Sequence, residues 1–77
     1  SNANLQIPSG IAFAAEVGLS GEIRPVNRID QRIAEVEKLG YKKIIISQNI
    51  KGFDASNYKI EIIQCSKIDQ VVKAVFS

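Results

Sequence analysis

The sequence has no histidine and only one cysteine, Cys65. A structural zinc site needs four cysteine or histidine ligands and a histidine-based triad needs an imidazole, so both are excluded. A single cysteine forms no internal disulfide, which is typical of a reducing compartment, and we therefore predict a cytoplasmic protein. Because Cys65 lies in an apolar stretch, we expect a buried structural thiol rather than a reactive one.

Aromatic residues are scarce, with two tyrosines and three phenylalanines. They offer no platform on which the bases of a single-stranded nucleic acid could stack. No apolar run approaches the ~20 residues of a membrane-spanning helix and no signal-peptide pattern is present, so no membrane partner is expected. Gly-x-Ser-x-Gly, phosphate-loop and Gly-x-Gly-x-x-Gly patterns are also missing. We therefore predict no catalytic residue and no metal site in this chain.

What is present is the composition of a small globular domain, with 45% apolar and 23% charged residues. The net charge of +2 does not by itself indicate a nucleic-acid partner. Residues 1–3 have the form of a remnant of tag removal, so the folded domain is expected within residues 4–77. Residues 4–10 are predicted to form a leading segment without regular secondary structure.

The hydrophobic patterns predict an α/β (or α+β) fold in the order β-β-α-β-β-α, with a helix-covered mixed sheet. The predicted elements are strands 11–17 and 22–26 joined by a hairpin near Ser20, helix 28–39, strands 43–47 and 58–65, and helix 67–76. Pro25 should end the second strand, because proline has no N–H for a sheet ladder. A helix between two strands favours a parallel βαβ unit, so residues 23–26 and 44–47 are expected to pair.

Helix 28–39 carries signals at both ends. Asn27 is a favourable N-cap, and Asp30 three residues later resembles a capping box. Gly40 is suited to end the helix. The residues expected to face the core share one stripe: Ile29, Ile33, Val36 and Leu39.

The closing helix has a similar pattern. Ser66 and Asp69 form a second predicted capping box. Its core-facing residues, at helical spacing, are Ile68, Val71, Val72 and Val75.

Charged residues supply the candidate functional positions. Glu16 in an apolar strand would need a partner if buried, and the hairpin would bring Arg24 near it, which favours a structural ion pair. Arg24, Arg28 and Arg32 could form a stripe that contacts DNA phosphates, since the last two lie one turn apart. A solvated helix face, interleaved with Glu35 and Glu37, is the alternative.

Residues 15–47, AEVGLSGEIRPVNRIDQRIAEVEKLGYKKIIIS, resemble the RadA (Sms) family of bacterial DNA repair proteins. In that family a GEVGLTGEVRPV-type hairpin leads into a basic helix and then an LGF-K-hydrophobic strand. The resemblance implies the second half of a C-terminal domain with the Lon-protease-like, ribosomal S5 domain 2-like fold. It also implies a parent ATPase for recombination and branch migration, with ATP and zinc bound outside this chain.

Lon proteases have roughly GEITLRGRVLPIGGLKEK in the comparable region, where the catalytic lysine follows Gly-Gly-Leu. Aligning the prolines places Asp30 at that lysine, and a carboxylate does not replace the amine of a Ser-Lys dyad. The serine-bearing segment of Lon has no counterpart in residues 1–77. The resemblance therefore implies a non-catalytic module. The alternatives are a fragment of an ATP-dependent Ser-Lys protease using another lysine, such as Lys38, and a stand-alone binding domain.

The resemblance also predicts partners. Family members form hexameric rings on DNA, so copies of the same chain and DNA are the expected partners. If half of a domain is missing, apolar surface should be exposed near residues 11–15. We then expect the isolated chain to dimerise or otherwise self-associate, through an open sheet edge or exchanged elements.

Overall fold

The structure is a computed structural model that describes residues 10–76. The predicted tag remnant and most of the irregular leading segment lie outside these residues. The helices and strands are β1 Ile11–Ala14, β2 Glu16–Val17, β3 Ile23–Arg24, α1 Ile29–Lys38, β4 Lys43–Ser47, β5 Glu61–Cys65 and α2 Ile68–Phe76. A 3-10 turn, Ala55–Asn57, lies between β4 and β5. The predicted α/β class is confirmed.

The central strand is β4, which pairs in parallel with β1 on one side and with β5 on the other. Its three isoleucines are fully buried. Ile45 belongs to the core under α2, whereas Ile44 and Ile46 belong to the core under α1. Burial of one such side chain stabilises the fold by roughly 1.5–3 kcal/mol. Strand β4 is therefore covered on both faces.

The run of residues 11–17 is not one strand. The chain bends at Ala15, so β1 joins the parallel sheet while β2 pairs with β3 in an antiparallel hairpin. The parallel unit is therefore β1-α1-β4, and the predicted pairing of residues 23–26 with 44–47 is wrong. The uncharged β1 suits a sheet covered by helices, whereas β2 and β3 carry exposed charges and Pro25 stops the ladder.

The predicted hairpin is confirmed, and its turn residue in the left-handed region is Gly21, with φ 79°. Glu16 and Arg24 are register partners, but Glu16 is exposed, not buried. The carboxylate that pairs with Arg24 is Glu22, at 2.6 Å. Glu22 lies two residues before Arg24 and so on the same side of the strand, which explains why it replaces Glu16.

Helix α1 ends as predicted but begins differently. Gly40 has φ 88°, and the N–H groups of Gly40 and Tyr41 donate to the carbonyls of Glu37 and Val36 in a Schellman motif. The N-cap residue is Arg28 rather than Asn27, and no side chain caps this end. Leu39 is 75% exposed, so the predicted core stripe is wrong at its last position.

Helix α2 uses a different side chain at its start. The amide oxygen of Gln70 accepts from the backbone N–H groups of Ser66 and Lys67 and from the Ser66 hydroxyl. Gln70 is the third helical residue, the position from which a side chain reaches back to the N-cap N–H. The predicted role of Asp69 is therefore taken by Gln70. Val72, predicted to face the core, is 45% exposed.

The segment between β4 and β5 is held against α1. Ile50, Phe53 and Tyr58 pack against the core under α1. The Phe53 and Tyr58 rings stack with centroids 5.8 Å apart. Because the chain is still in this segment at Tyr58, β5 begins at Glu61 rather than at the predicted residue 58.

Candidate nucleic-acid interface

Arg28 stands at the beginning of α1 in a left-handed backbone conformation, with φ 58° and ψ 46°. It is the only non-glycine residue with positive φ in the described part of the chain. A side chain with a Cβ costs about 1–2 kcal/mol in this conformation. The Arg28 side chain is exposed, and no hydrogen bond or ion pair involves it within residues 10–76. Its charge is therefore uncompensated and available to an anion.

Arg32 lies one helical turn after Arg28, on the same flank of α1. Its Nε donates to the Asn27 carbonyl at 2.9 Å, which fixes the loop before the helix. The terminal nitrogens of its guanidinium group extend beyond that bond, so the side chain is oriented and still able to contact a phosphate. Glu35, three residues further, lies on the same flank and supplies one negative charge.

Arg24 has a different environment from the other two arginines. Its Nε and a terminal nitrogen both donate to Glu22 Oε2, at 3.1 and 2.6 Å. A hydrogen bond from the Glu22 backbone N–H, and then the bond from Arg24, lower the pKa of the Glu22 carboxyl. Arg24 is thus neutralised within the hairpin. The sequence predicted one stripe of three arginines. Within residues 10–76 only Arg28 and Arg32 among them have no carboxylate partner.

Asp30 does not cap α1, although it lies in the first turn of the helix. Its Oδ1 accepts the hydroxyl hydrogen bond of Tyr58, with an oxygen–oxygen distance of 2.5 Å. This bond, followed by partial burial, raises the pKa of Tyr58 to about 12. Asp30 therefore holds the segment before β5 against α1.

Glu37 performs a related task that the sequence reasoning missed. Its Oε2 accepts from the backbone N–H groups of Lys59 and Ile60, at 2.7 and 2.9 Å. Asp30 and Glu37 are seven residues apart, which places them two turns apart on one flank of a helix. This seven-residue spacing is the sequence signal that could have grouped Glu37 with Asp30. The acidic flank of α1 binds the segment before β5, and the arginine flank lies on the other side.

The carboxyl ends of β4 and β5, where parallel α/β sheets commonly bind ligands, are covered by the hairpin. The Ile23 N–H donates to the Ser66 carbonyl, and the Ser47 hydroxyl donates to the Ile23 carbonyl, each at 2.9 Å. Ser47 is fully buried, and Cys65 beside it is 2% exposed. Burial raises the pKa of the Cys65 thiol, as expected for the predicted structural cysteine.

An open groove of about 510 Å³ lies beside β1 and the hairpin. Its lining residues come from the two sheets: Phe13, Ala15, Glu16, Val17 and Arg24. Val17 is 50% exposed, so part of this lining is apolar surface in contact with solvent. This is the region in which exposed apolar surface was predicted.

Residues 10–76 also lack a metal-binding cluster and a membrane-spanning helix. No cluster of three or more cysteine and carboxylate side chains there is arranged to bind a metal ion. Neither of the helices in that range has the length and apolar character needed to cross a membrane.

Comparison with known proteins decides the family. No family model matches the chain. A protein of Streptococcus pyogenes serotype M3 named DNA repair protein RadA is 49% identical over 67 residues, or 86% of this chain. The chain is homologous to a segment of RadA. RadA of Streptococcus pneumoniae is 45% identical over 84% of the chain, and RadA of Listeria monocytogenes is 39% identical over 79%.

The resemblance to RadA stated from residues 15–47 is therefore confirmed. The chain spans only 15% of the length of the S. pyogenes RadA and 16% of the S. pneumoniae RadA.

Proposed function

We propose that this chain is a non-catalytic, Lon-protease-like module of a RadA-type DNA repair and recombination ATPase. In this role it contributes to assembly of a hexameric ring and contacts DNA phosphates through Arg28 and Arg32. The observation that carries the DNA contact is this arginine pair, which is adjacent, exposed and uncompensated, in a chain homologous to a DNA repair protein. ATP hydrolysis and zinc binding belong to other parts of the polypeptide.

The backbone at Arg28 supports this assignment. Glycine would adopt the same conformation without the steric cost, yet arginine stands there. Residues held in unfavourable backbone regions concentrate at functional sites. A guanidinium group that is exposed and unpaired at a helix N-terminus is able to bind a phosphate in bidentate fashion.

Three contacts favour a non-catalytic module over a Ser-Lys peptidase. Asp30, in the position of the lysine, is occupied by the Tyr58 hydroxyl. The hydroxyl of Ser47 is buried against the backbone, and that of Ser66 bonds to Gln70. Neither serine is arranged for attack on a substrate. An activated phosphonate that labels a serine of the full-length polypeptide would favour the peptidase instead.

The DNA contact is tested by charge neutralisation with a matched control. Arg28→Gln and Arg32→Gln are each compared with Arg24→Gln, because Glu22 already neutralises Arg24. Each lost phosphate contact should lower the dependence of log K on log salt by about 0.9 and weaken binding about eightfold at 0.1 M salt. Fluorescence anisotropy with labelled duplex DNA measures both quantities. Equal effects of all three substitutions, or no effect of any, would reject the proposed contact.

A further inference from the structure

Arg28 lies between two backbone carbonyl groups that are both bound by Arg32. The Nε of Arg32 donates to the Asn27 carbonyl at 2.9 Å, and the backbone N–H of Arg32 donates to the Arg28 carbonyl at 3.1 Å. Because each peptide unit is planar, φ and ψ of Arg28 alone set how the two units that contain these carbonyls are oriented. By binding both carbonyls, Arg32 restrains φ and ψ of Arg28 together.

The side-chain bond of Arg32 is the unusual half of this clamp. The bond from the Arg32 N–H to the Arg28 carbonyl is the ordinary bond between residues four apart that opens an α-helix. An N-cap residue ordinarily has an extended backbone, and its side chain caps the helix. Arg28 instead has φ 58° and ψ 46°, and no side-chain cap is formed. The bond to the Asn27 carbonyl therefore accompanies the left-handed conformation of Arg28.

Starting the helix does not by itself explain this arrangement. Asparagine is among the favoured N-cap residues, and Asn27 stands one position earlier. Glycine at position 28 would adopt a positive φ without steric cost. What the clamp adds is a fixed backbone below an exposed guanidinium group. The Cα–Cβ bond of Arg28 rotates about the start of α1 when ψ changes, so the clamp decides where this guanidinium group lies relative to that of Arg32.

We propose that Arg32 is a positioning residue for Arg28 as well as a phosphate ligand in its own right. A guanidinium group has five N–H donors in a planar fork. Nε of Arg32 holds the Asn27 carbonyl, and the terminal nitrogens remain for a phosphate, so the two tasks do not compete. This inference rests on the proposed phosphate contact of the arginine pair, but the clamp itself is testable without DNA.

NMR spectroscopy of the chain with Arg32→Ala tests the clamp. Alanine removes every side-chain donor at position 32 and keeps a strong helix former. Residue 28 should then leave the left-handed region for the extended backbone of an ordinary N-cap. The amide-to-Hα coupling constant and the backbone chemical shifts of Arg28 measure this change. Glu35→Ala is the matched control, because Glu35 is exposed on the same flank of α1. A φ that stays near 58° in Arg32→Ala, or that changes equally in Glu35→Ala, overturns the clamp.

Duplex binding by the same chain separates positioning from a direct contact. Arg32→Ala should lose two phosphate contacts, its own and that of Arg28, and lower the dependence of log K on log salt by about 1.8. Arg28→Gln should lose one contact and lower it by about 0.9, and should change nothing further when added to Arg32→Ala. Equal losses for the two single variants, which add in the double variant, overturn the positioning role and leave the phosphate contacts intact. No loss in any variant rejects the phosphate contacts, and positioning for DNA with them, even where NMR confirms the clamp.

Lysine substitutions test why position 32 holds an arginine. The single ammonium group of Arg32→Lys cannot bind the carbonyl and a phosphate in the geometry of a planar fork, so one contact is lost and the salt dependence falls by about 0.9. Arg28→Lys is the matched control, because the Arg28 side chain does not cap the helix and lysine keeps its charge. Its salt dependence should be unchanged. Equal changes at the two positions overturn the double role of the Arg32 guanidinium group.

Discussion

Substitution of Ser47 by alanine tests how the hairpin is attached to the sheet. The Ser47 hydroxyl is fully buried, donates to the Ile23 carbonyl at 2.9 Å and accepts from the Asn49 N–H at 3.1 Å. Ser47→Ala leaves the Ile23 carbonyl buried without this partner, which costs about 1–3 kcal/mol. The Asn49 N–H is only partly buried, so water can replace much of its bond. We expect a total loss of about 2 kcal/mol in the free energy of unfolding.

This loss is large for a chain of 77 residues. Native stability of roughly 0.05–0.15 kcal/mol per residue gives a total of about 4–11 kcal/mol. The melting temperature should fall by about 10 °C, at about 4–8 °C per kcal/mol for a domain of this size. Urea unfolding followed by circular dichroism measures the change, with an unaltered m-value as the sign that the denatured state is unaffected.

The matched control is Ser56→Ala. Ser56 is exposed and its hydroxyl bonds only to Asp54, so its removal should cost no more than about 0.5 kcal/mol. If Ser47→Ala is as mild as Ser56→Ala, the hairpin is not held by this hydroxyl. The attachment of β3 to the carboxyl end of the sheet would then depend on the bond from the Ile23 N–H to the Ser66 carbonyl, and the role assigned to Ser47 would be refuted.

Three further substitutions and one labelling experiment test other parts of the structure. Tyr58→Phe should lower stability by about 1 kcal/mol at pH 7. Because the folded pKa of Tyr58 is raised from 10.0 to about 12, this difference should persist below pH 10 and vanish as the pH rises to 12, in pH-dependent urea titrations. Gly40→Ala should cost about 1 kcal/mol in the same assay, since φ is 88°. Arg28→Gly should leave stability unchanged or higher while weakening duplex binding, and a loss of stability would contradict the strain at φ 58°. The Cys65 thiol should react with a disulfide reagent only on unfolding, so rapid labelling of the native chain would contradict its burial.

Much of the fold was predictable because its strongest signals are local. Three consecutive isoleucines specify a strand buried on both faces, and β4 lies at its predicted residues. Gly40 ends α1 because the backbone there needs a positive φ, which the residue type reveals. The helix boundaries were correct to within one residue at each end.

The errors concern choices that depend on tertiary contacts. The strand breaks at Ala15 because the hairpin bonds to the start of α2: the Ile23 N–H donates to the Ser66 carbonyl, and the Gly21 carbonyl accepts from the Ile68 N–H. No local sequence pattern encodes those bonds. Asp30 has the residue type of a helix cap, but the Tyr58 hydroxyl from a distant segment competes for it. The donor that an acidic side chain binds is decided by which groups lie close to it in the folded chain. The residue type alone therefore could not identify the partner of Asp30.

The arginines show the same limit at the candidate site. Their spacing placed Arg28 and Arg32 together correctly, since helical periodicity is a local property. Arg24 was grouped with them although Glu22, two residues earlier, compensates its charge. Alternation in a strand would have placed these two side chains on the same face, so this pairing was within reach of the sequence. The αL conformation of Arg28 was not, because it arises where the chain turns from Pro25 into α1.

The contacts on the two flanks of α1 explain why the chain has an aspartate at position 30, which the resemblance to Lon aligns with a lysine. Asp30 and Glu37 attach the helix to the segment before β5 through three hydrogen bonds. A lysine at position 30 would place an ammonium group beside a phenol that needs an acceptor, and would remove the first of these bonds. The acidic flank of α1 is thus committed to packing. The opposite flank, with the exposed side chains of Arg28 and Arg32, is left as the surface on which a DNA contact can be built.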